Sequence, residues 1–286
     1  MKTKKDKPSS GMHQSKVSSV FAHVLMVLIV VIMLYPVAFA VGASFKPQNE
    51  IFSNVLNFFT ANPTLSNFKR AVERIDYFKV VWNTFAIAFC VMAFKVFTSY
   101  LCAYAFVFLN FPLKRILYFV LISTMFIPFT VTMIPNYITI SKMGLRDNIV
   151  GVMLPQLSDA MGIMLLRQQM RTIPKSLIEV GKLEKSSHFT IMTQIVLPIV
   201  KPGVISTAII FFINSWNEYV WPRLILKTTE NYTLSLALQL FVDSEAGSGM
   251  GICMAMCVLT MLIPLILFII FQRQIMATYA SSGIKG

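Results

Sequence analysis

The stretch "IPKSLIEVGKLEKSSHFTIMTQIVLPIVKP", Ile173–Pro202, interrupts a chain that is apolar over most of its length. Six Lys, Glu or His positions lie between Lys175 and His188, and then apolar residues resume. Of the 286 residues 56% are hydrophobic and only 13% charged, more apolar surface than a water-soluble core of this size can bury. The chain therefore reads as a bilayer protein, and its charged insert as a loop facing water.

Working outward from that insert, six runs are long enough to cross a hydrocarbon layer, which needs about 20 helical residues. They extend from Phe21 to about Phe45, Val80 to Leu109, Ile116 to Ile138, Ile149 to Leu166, Gly203 to Trp221 and Met250 to Phe271. The expected fold class is an all-α membrane protein of six transmembrane helices. The second run is longer than needed and is expected to tilt or project. Residues 1–20 read as an N-terminal tail, 21–272 as the membrane domain with a long loop at about 167–202, and 273–286 as a C-terminal tail.

Basic loop residues are retained in the cytoplasm, so Lys and Arg decide orientation. An inside N-terminus puts 15 of the 25 on the cytoplasmic side: five in the tail, two after the second run, six in the long loop and two at the C-terminal end. Nine fall outside, and Lys95 lies within a run. Both termini and the long loop are expected in the cytoplasm. "AFA" at Ala38–Ala40 imitates a signal-peptidase site, but the run before it is too long for a signal peptide and five more follow, so an uncleaved anchor is expected.

A net charge of +13 on a soluble protein would suggest nucleic acid. Here the basic residues separate apolar runs and set topology instead, so no nucleic-acid partner is expected. The nearest approach to a phosphate loop, "GKLEKSS" at Gly181, has Ser176 where the upstream Gly belongs and Leu183 where Ser or Thr would bind Mg²⁺. HExxH is absent. Cys90, Cys102, Cys253 and Cys257 lie in apolar runs without neighbouring His or carboxylate ligands, and read as buried thiols. The 18 Met residues fit adaptable packing better than a metal path. The chain is expected to bind no cofactor and no metal, and not to be an enzyme.

Within the insert, Pro174 suits the first turn of a helix with Thr172 as its cap. Leu177, Val180 and Gly181 recur at helical spacing as a narrow apolar face, and Gly181 leaves room for a partner surface. Lys175, Glu179, Lys182 and Lys185 flank that face. A second helix, from about Phe189 to Leu197, is expected to end at Pro198. On spacing alone this is equally an exposed loop helix.

The pattern resembles the cytoplasmic "EAA" loop of ATP-binding cassette importer permeases. Glu179 matches the family Glu, Val180 and Gly181 stand for the two alanines, Glu184 takes an acidic position, and "IVLPIVKP" from Ile195 fits without a gap. One departure is Lys185, where the family carries a Gly suited to positive φ. "NTFAIAF" at Asn83, "SYLCAYAFVFLNFPLKR" at Ser99, "TMFIPFTVTMIPNY" at Thr124, "INSWNEYVWPRLIL" at Ile213 and "QRQIMATYASSGIKG" at Gln272 extend the likeness over nearly the whole chain. They are similar to the second, maltose-permease-like subunit of carbohydrate importers, a group that includes oligosaccharide and glycerol phosphate systems.

The resemblance implies one permease subunit of a bacterial or archaeal cell-membrane importer. It implies a second permease subunit, two copies of an ATPase subunit carrying ATP and Mg, an extracytoplasmic solute-binding protein and surrounding membrane lipid. Coupling to the ATPase falls to Glu179, Val180, Gly181, Lys182, Glu184, Lys185 and Pro198.

Candidates for the translocation pathway are Lys95, Pro128, Pro135, Asn217 and Glu218. Pro128 and Pro135 remove two backbone donors, which leaves the carbonyls of Thr124 and Val131 free and bends the third helix. A lone Lys at mid-span costs about 2.5–3.5 kcal/mol on insertion scales. Lys95 therefore pairs with Asp159 or Glu218, snorkels, or meets an anionic solute. Trp216, Tyr219 and Trp221 read as an aromatic belt at the outer interface, with stacking on a sugar as the functional alternative. A self-sufficient secondary transporter or channel is the competing class, but the intramembrane acids and repeated halves it usually shows are weak or missing.

Overall fold

The computed structural model describes residues 16–51, 60, 62–245 and 249–283; the expectations for the first 15 residues and the last three lie outside them. Among the described residues the chain is helical with no strand. α1 (Lys16–Ser44) is apolar on every side and exposes most of its large side chains, as a helix does when lipid is its solvent. α2 (Ser66–Arg74), which hydropathy does not reveal, secures the end of α1. Its buried Asn67 donates from Nδ2 to the carbonyls of Ser44 and Lys46, at 2.9 and 2.8 Å, groups a helix terminus leaves without partners. α3 (Tyr77–Phe108) starts at Asp76, whose Oδ1 accepts the Lys79 N–H at 3.2 Å.

The third apolar run is two helices, α4 (Lys114–Ser123) and α5 (Phe129–Lys142), bent by 96°. Pro128 has no N–H to continue the ladder and holds Ile127 extended, so the chain turns there. The Thr124 carbonyl is not free as expected: it accepts the Ile127 N–H at 3.1 Å. The fourth run also breaks, into α6 (Ile149–Met153) with a following 3₁₀ turn and α7 (Ala160–Met170), at 47°.

α8 (Lys175–Leu183) and α9 (His188–Thr190) form the charged insert. The helix after it does not end at Pro198. It passes through a π turn at Ile191–Val196 into α10 (Leu197–Trp216). In that wide turn the Leu197 N–H reaches the Met192 carbonyl, one residue further back than in an α-helix. The shifted ladder accommodates a residue with no N–H to give. α11 (Val220–Ile225), α12 (Leu234–Glu245) and α13 (Met250–Gly283) complete the chain. Among the described residues four helices are long and apolar enough to cross a membrane, and the count reaches six when each bent pair is one span.

α3 and α10 pack together at the centre, with α7 against α3 and α13 against α10. The aromatic belt is overturned here: Trp216 and Trp221 are fully buried. Trp216 donates from Nε1 to the Thr260 carbonyl on α13 at 3.4 Å. Trp221 packs edge-on against Phe129 on α5. Only Tyr219 remains partly exposed.

Candidate functional site

α8 begins directly after Pro174, whose φ of −58° prepares the first turn. Thr172 does not cap it: its hydroxyl donates back to the Gln169 carbonyl at 2.7 Å and closes the end of α7. The expected apolar face divides in two. Ile178 and Gly181 turn inward, whereas Leu177 and Val180 are exposed at 43% and 53% and Leu183 at 82%.

A Cβ at Gly181 would lie 3.0 Å from Ile195 and 3.3 Å from Ile191, so this glycine admits the chain's own next helix and no partner surface. Glu179, Lys182, Glu184 and Lys185 all face solvent beside the outward apolar row, and Pro198 is exposed further along.

The turn out of α8 answers the missing family glycine. Lys185 itself takes the left-handed conformation, φ +56°. Its N–H donates to the Lys182 carbonyl and the Ser186 N–H to the Gly181 carbonyl, both at 3.0 Å, the double bond that ends helices in a Schellman turn. Ser187 then starts α9, its hydroxyl accepting the Thr190 N–H at 3.1 Å.

This hairpin is bonded to the membrane helices. Ile173, Ile178, Ile191 and Val196 share one apolar cluster with Tyr100, Ala103 and Tyr104 of α3 and Leu166 and Met170 of α7. Tyr100 donates to the Met192 carbonyl inside the π turn at 2.6 Å. The Tyr104 hydroxyl lies 3.1 Å from Nδ1 of His188. Neither tyrosine was singled out from sequence. Their only signal is a hydroxyl placed near the end of an apolar run.

Lys95 is paired. Its ammonium lies 3.3 Å from Oδ2 of Asp159 and over the Phe211 ring at 5.2 Å, with the two side chains 14% and 29% exposed. Asp159 also accepts the Met161 N–H at 2.8 Å and so caps α7 at the break in the fourth span. Glu218 is engaged elsewhere, accepting the N–H groups of Val220 and Trp221 at 3.0 and 3.2 Å. Asn217 is exposed at the end of α10, Pro128 is exposed just before α5 and Pro135 within it. The five pathway candidates therefore do not converge on one cluster. Among the described residues no group of three or more His, Cys, Asp or Glu could hold a metal ion.

Asp147, which sequence reading passed over, joins two loops at the end opposite α8. Its carboxylate accepts the N–H groups of Lys227 and Thr228 at 2.8 and 3.0 Å. Slight burial pushes its pKa up from 3.8, but those backbone donors, with Asn231 and the Thr228 side chain, outweigh it and hold it at about 2.

Residues 95–278 match the family described as "Binding-protein-dependent transport system inner membrane component". The chain is 26% identical over 268 residues to an sn-glycerol-3-phosphate transport system permease protein, UgpE, of Brucella melitensis, covering 91% of this chain and 95% of that one. A protein of the same name from Rhizobium meliloti is 27% identical over 265 residues, covering 90% and 94%. Among solved structures, a chain from the crystal structure of a bacterial ABC transporter involved in the import of the acidic polysaccharide alginate superposes with a TM-score of 0.76 at 20% identity, covering 93% of this chain and 99% of that one, a likeness of fold. With the match spanning α3 to α13 and including both bent spans and the α8–α9 hairpin, the chain belongs to the family of inner membrane components of binding-protein-dependent transport systems, and is a multi-pass transport permease.

Proposed function

We propose that this permease forms half of the translocation pathway of an ATP-driven importer, beside a second permease subunit, and that α8 is the element an ATPase subunit grips. The observation that carries the reading is the outward row Leu177, Val180 and Leu183, three apolar side chains left in water on a helix whose opposite side is fixed to the spans. Exposed apolar surface on a short polar helix is costly unless a partner covers it. Glu179 and Lys182 beside the row give that partner its polar contacts. ATP and Mg belong to the ATPase, of which two copies serve the pair of permeases. Closure of the ATPase pair moves α8, and the shared apolar cluster passes that movement to α3, α7 and α10.

The hairpin and both termini are cytoplasmic in this reading, on the basic asymmetry of the loops. An extracytoplasmic binding protein delivers a sugar or sugar-like solute, an oligosaccharide or glycerol phosphate, and the relatives' names favour glycerol phosphate.

The test is purification through a tag on this chain, comparing wild type with Glu179→Ala and with Leu183→Glu. Wild type should bring down an ATPase and a second permease. Both variants should keep the permease partner, lose most of the ATPase and stop uptake. Full ATPase recovery and full uptake in both variants would remove α8 from the coupling role.

A further inference from the structure

On the same end of the molecule as α8, but beside it, the close of α3, the start of α4 and the end of α7 bring two cations together without an acid. The Arg167 guanidinium lies over the Tyr118 ring at 3.9 Å, and its Nε is buried with no hydrogen-bond partner. Arg167 forms no ion pair among the described residues. The Lys114 ammonium, close enough to be repelled by Arg167, donates to the Leu109 carbonyl at 2.6 Å and stands over Phe111 at 5.8 Å. Phe106 bridges the two platforms, with its ring 5.4 Å from Tyr118 and 5.7 Å from Phe111.

A half-buried guanidinium with an unused donor beside a second cation is unfavourable unless an anion completes it. Among the described residues none does so. Height and surroundings identify the source. Lys114 opens the third span and Arg167 lies in the last turn of α7, so both sit where hydrocarbon gives way to headgroups. The next turn of α4 exposes Leu117 and Val120, an apolar surface suited to acyl chains.

We propose that Lys114 and Arg167 bind the phosphate of an anionic phospholipid in the leaflet on the α8 side, with the aromatic rings walling the headgroup and the outer surface of α4 taking the chains. The guanidinium offers the phosphate a planar pair of donors and Lys114 a point charge, the usual division of labour between these two residues. Basic pockets between spans at this height suit lipid headgroups in general. Nothing in the proposal depends on which solute the importer carries.

The complete importer, reconstituted in nanodiscs of equal phosphatidylglycerol and phosphatidylcholine with the same acyl chains, is released and analysed by native mass spectrometry for retained lipid. Wild type should retain phosphatidylglycerol over phosphatidylcholine. Arg167→Gln and Lys114→Gln should each reduce that retention about fivefold, and the double variant should abolish the preference. Arg115→Gln, an exposed neighbour outside the site, should leave it within about twofold, since an exposed charge contributes little. Millimolar inorganic phosphate should not displace the lipid.

Equal retention of the two lipids by wild type, or an undiminished preference in an assembled double variant, would overturn the proposal. Displacement by inorganic phosphate would make the ligand a soluble anion and reject the lipid. Dissociation of the second permease from the double variant with lipid still bound would reassign the cations to a protein contact. The lipid comparison and the phosphate competition in wild type decide the matter even if the double variant does not assemble.

Discussion

Lys185 holds a left-handed backbone that costs a side-chain-bearing residue about 1–2 kcal/mol. Lys185→Gly should therefore stabilise the α8 turn by about 1 kcal/mol net of glycine's own entropy, read as slower hydrogen exchange at the Ser186 amide. Lys185→Val should do the opposite. Lys95 and Asp159 form a partly screened pair, so removing either charge alone should cost about 1–3 kcal/mol, below the range for fully buried pairs. Lys95→Met combined with Asp159→Asn should recover most of that loss, because asparagine keeps the α7 cap; a thermal melt of the assembled importer measures both. Asp147 gives a pH signature. Its folded pKa lies below the ordinary 3.8, so its contribution is fully present above about pH 4 and is lost as pH falls through about 2. Proteolytic nicking near Lys227 and Thr228 should rise over that window in wild type and stay high and pH-independent in Asp147→Ala.

At the scale of elements, α8 is a helix shared between two surfaces. Gly181→Ala should cost little, since the nearest atom its Cβ meets, at 3.0 Å, is the flexible end of Ile195; Gly181→Leu should wedge α8 off Ile191 and Ile195. That variant should lose ATPase through a displaced helix, detectable as increased hydrogen exchange through α8. Helical spacing correctly placed Leu177, Val180 and Gly181 near one another, but neighbours about 100° apart on a helix divide between inside and outside according to what packs next to them. The wide turn at Ile191–Val196 had no sequence signal beyond Pro198, because a proline marks a lost donor without saying whether the helix stops or shifts its ladder.

Over the whole molecule, apolar runs bounded by charge made the spans legible, because lipid demands length and composition and little else. The bends were only partly legible: Pro128 marked a break, but the 96° angle depends on what α5 packs against. Trp216 and Trp221 were misread because interface and core favour the same amphipathic rings, and only the fold shows which side α13 and α5 occupy.

The π turn before α10 also bears on the molecule as a machine. It holds one residue more than an α-helix would need to cover the same rise, a unit of torsional slack between the gripped hairpin and the span. Deleting Thr193 would take up that slack and restore the ordinary ladder with the hairpin facing nearly as before, because the wide turn spreads its extra residue over almost the same rotation. Leu177, Val180 and Glu179 would keep their outlook while the play between handle and span was gone. Such a permease should insert, hold its second subunit and recruit its ATPase as before, so that a fall in uptake would measure what a single residue's worth of give contributes to the stroke.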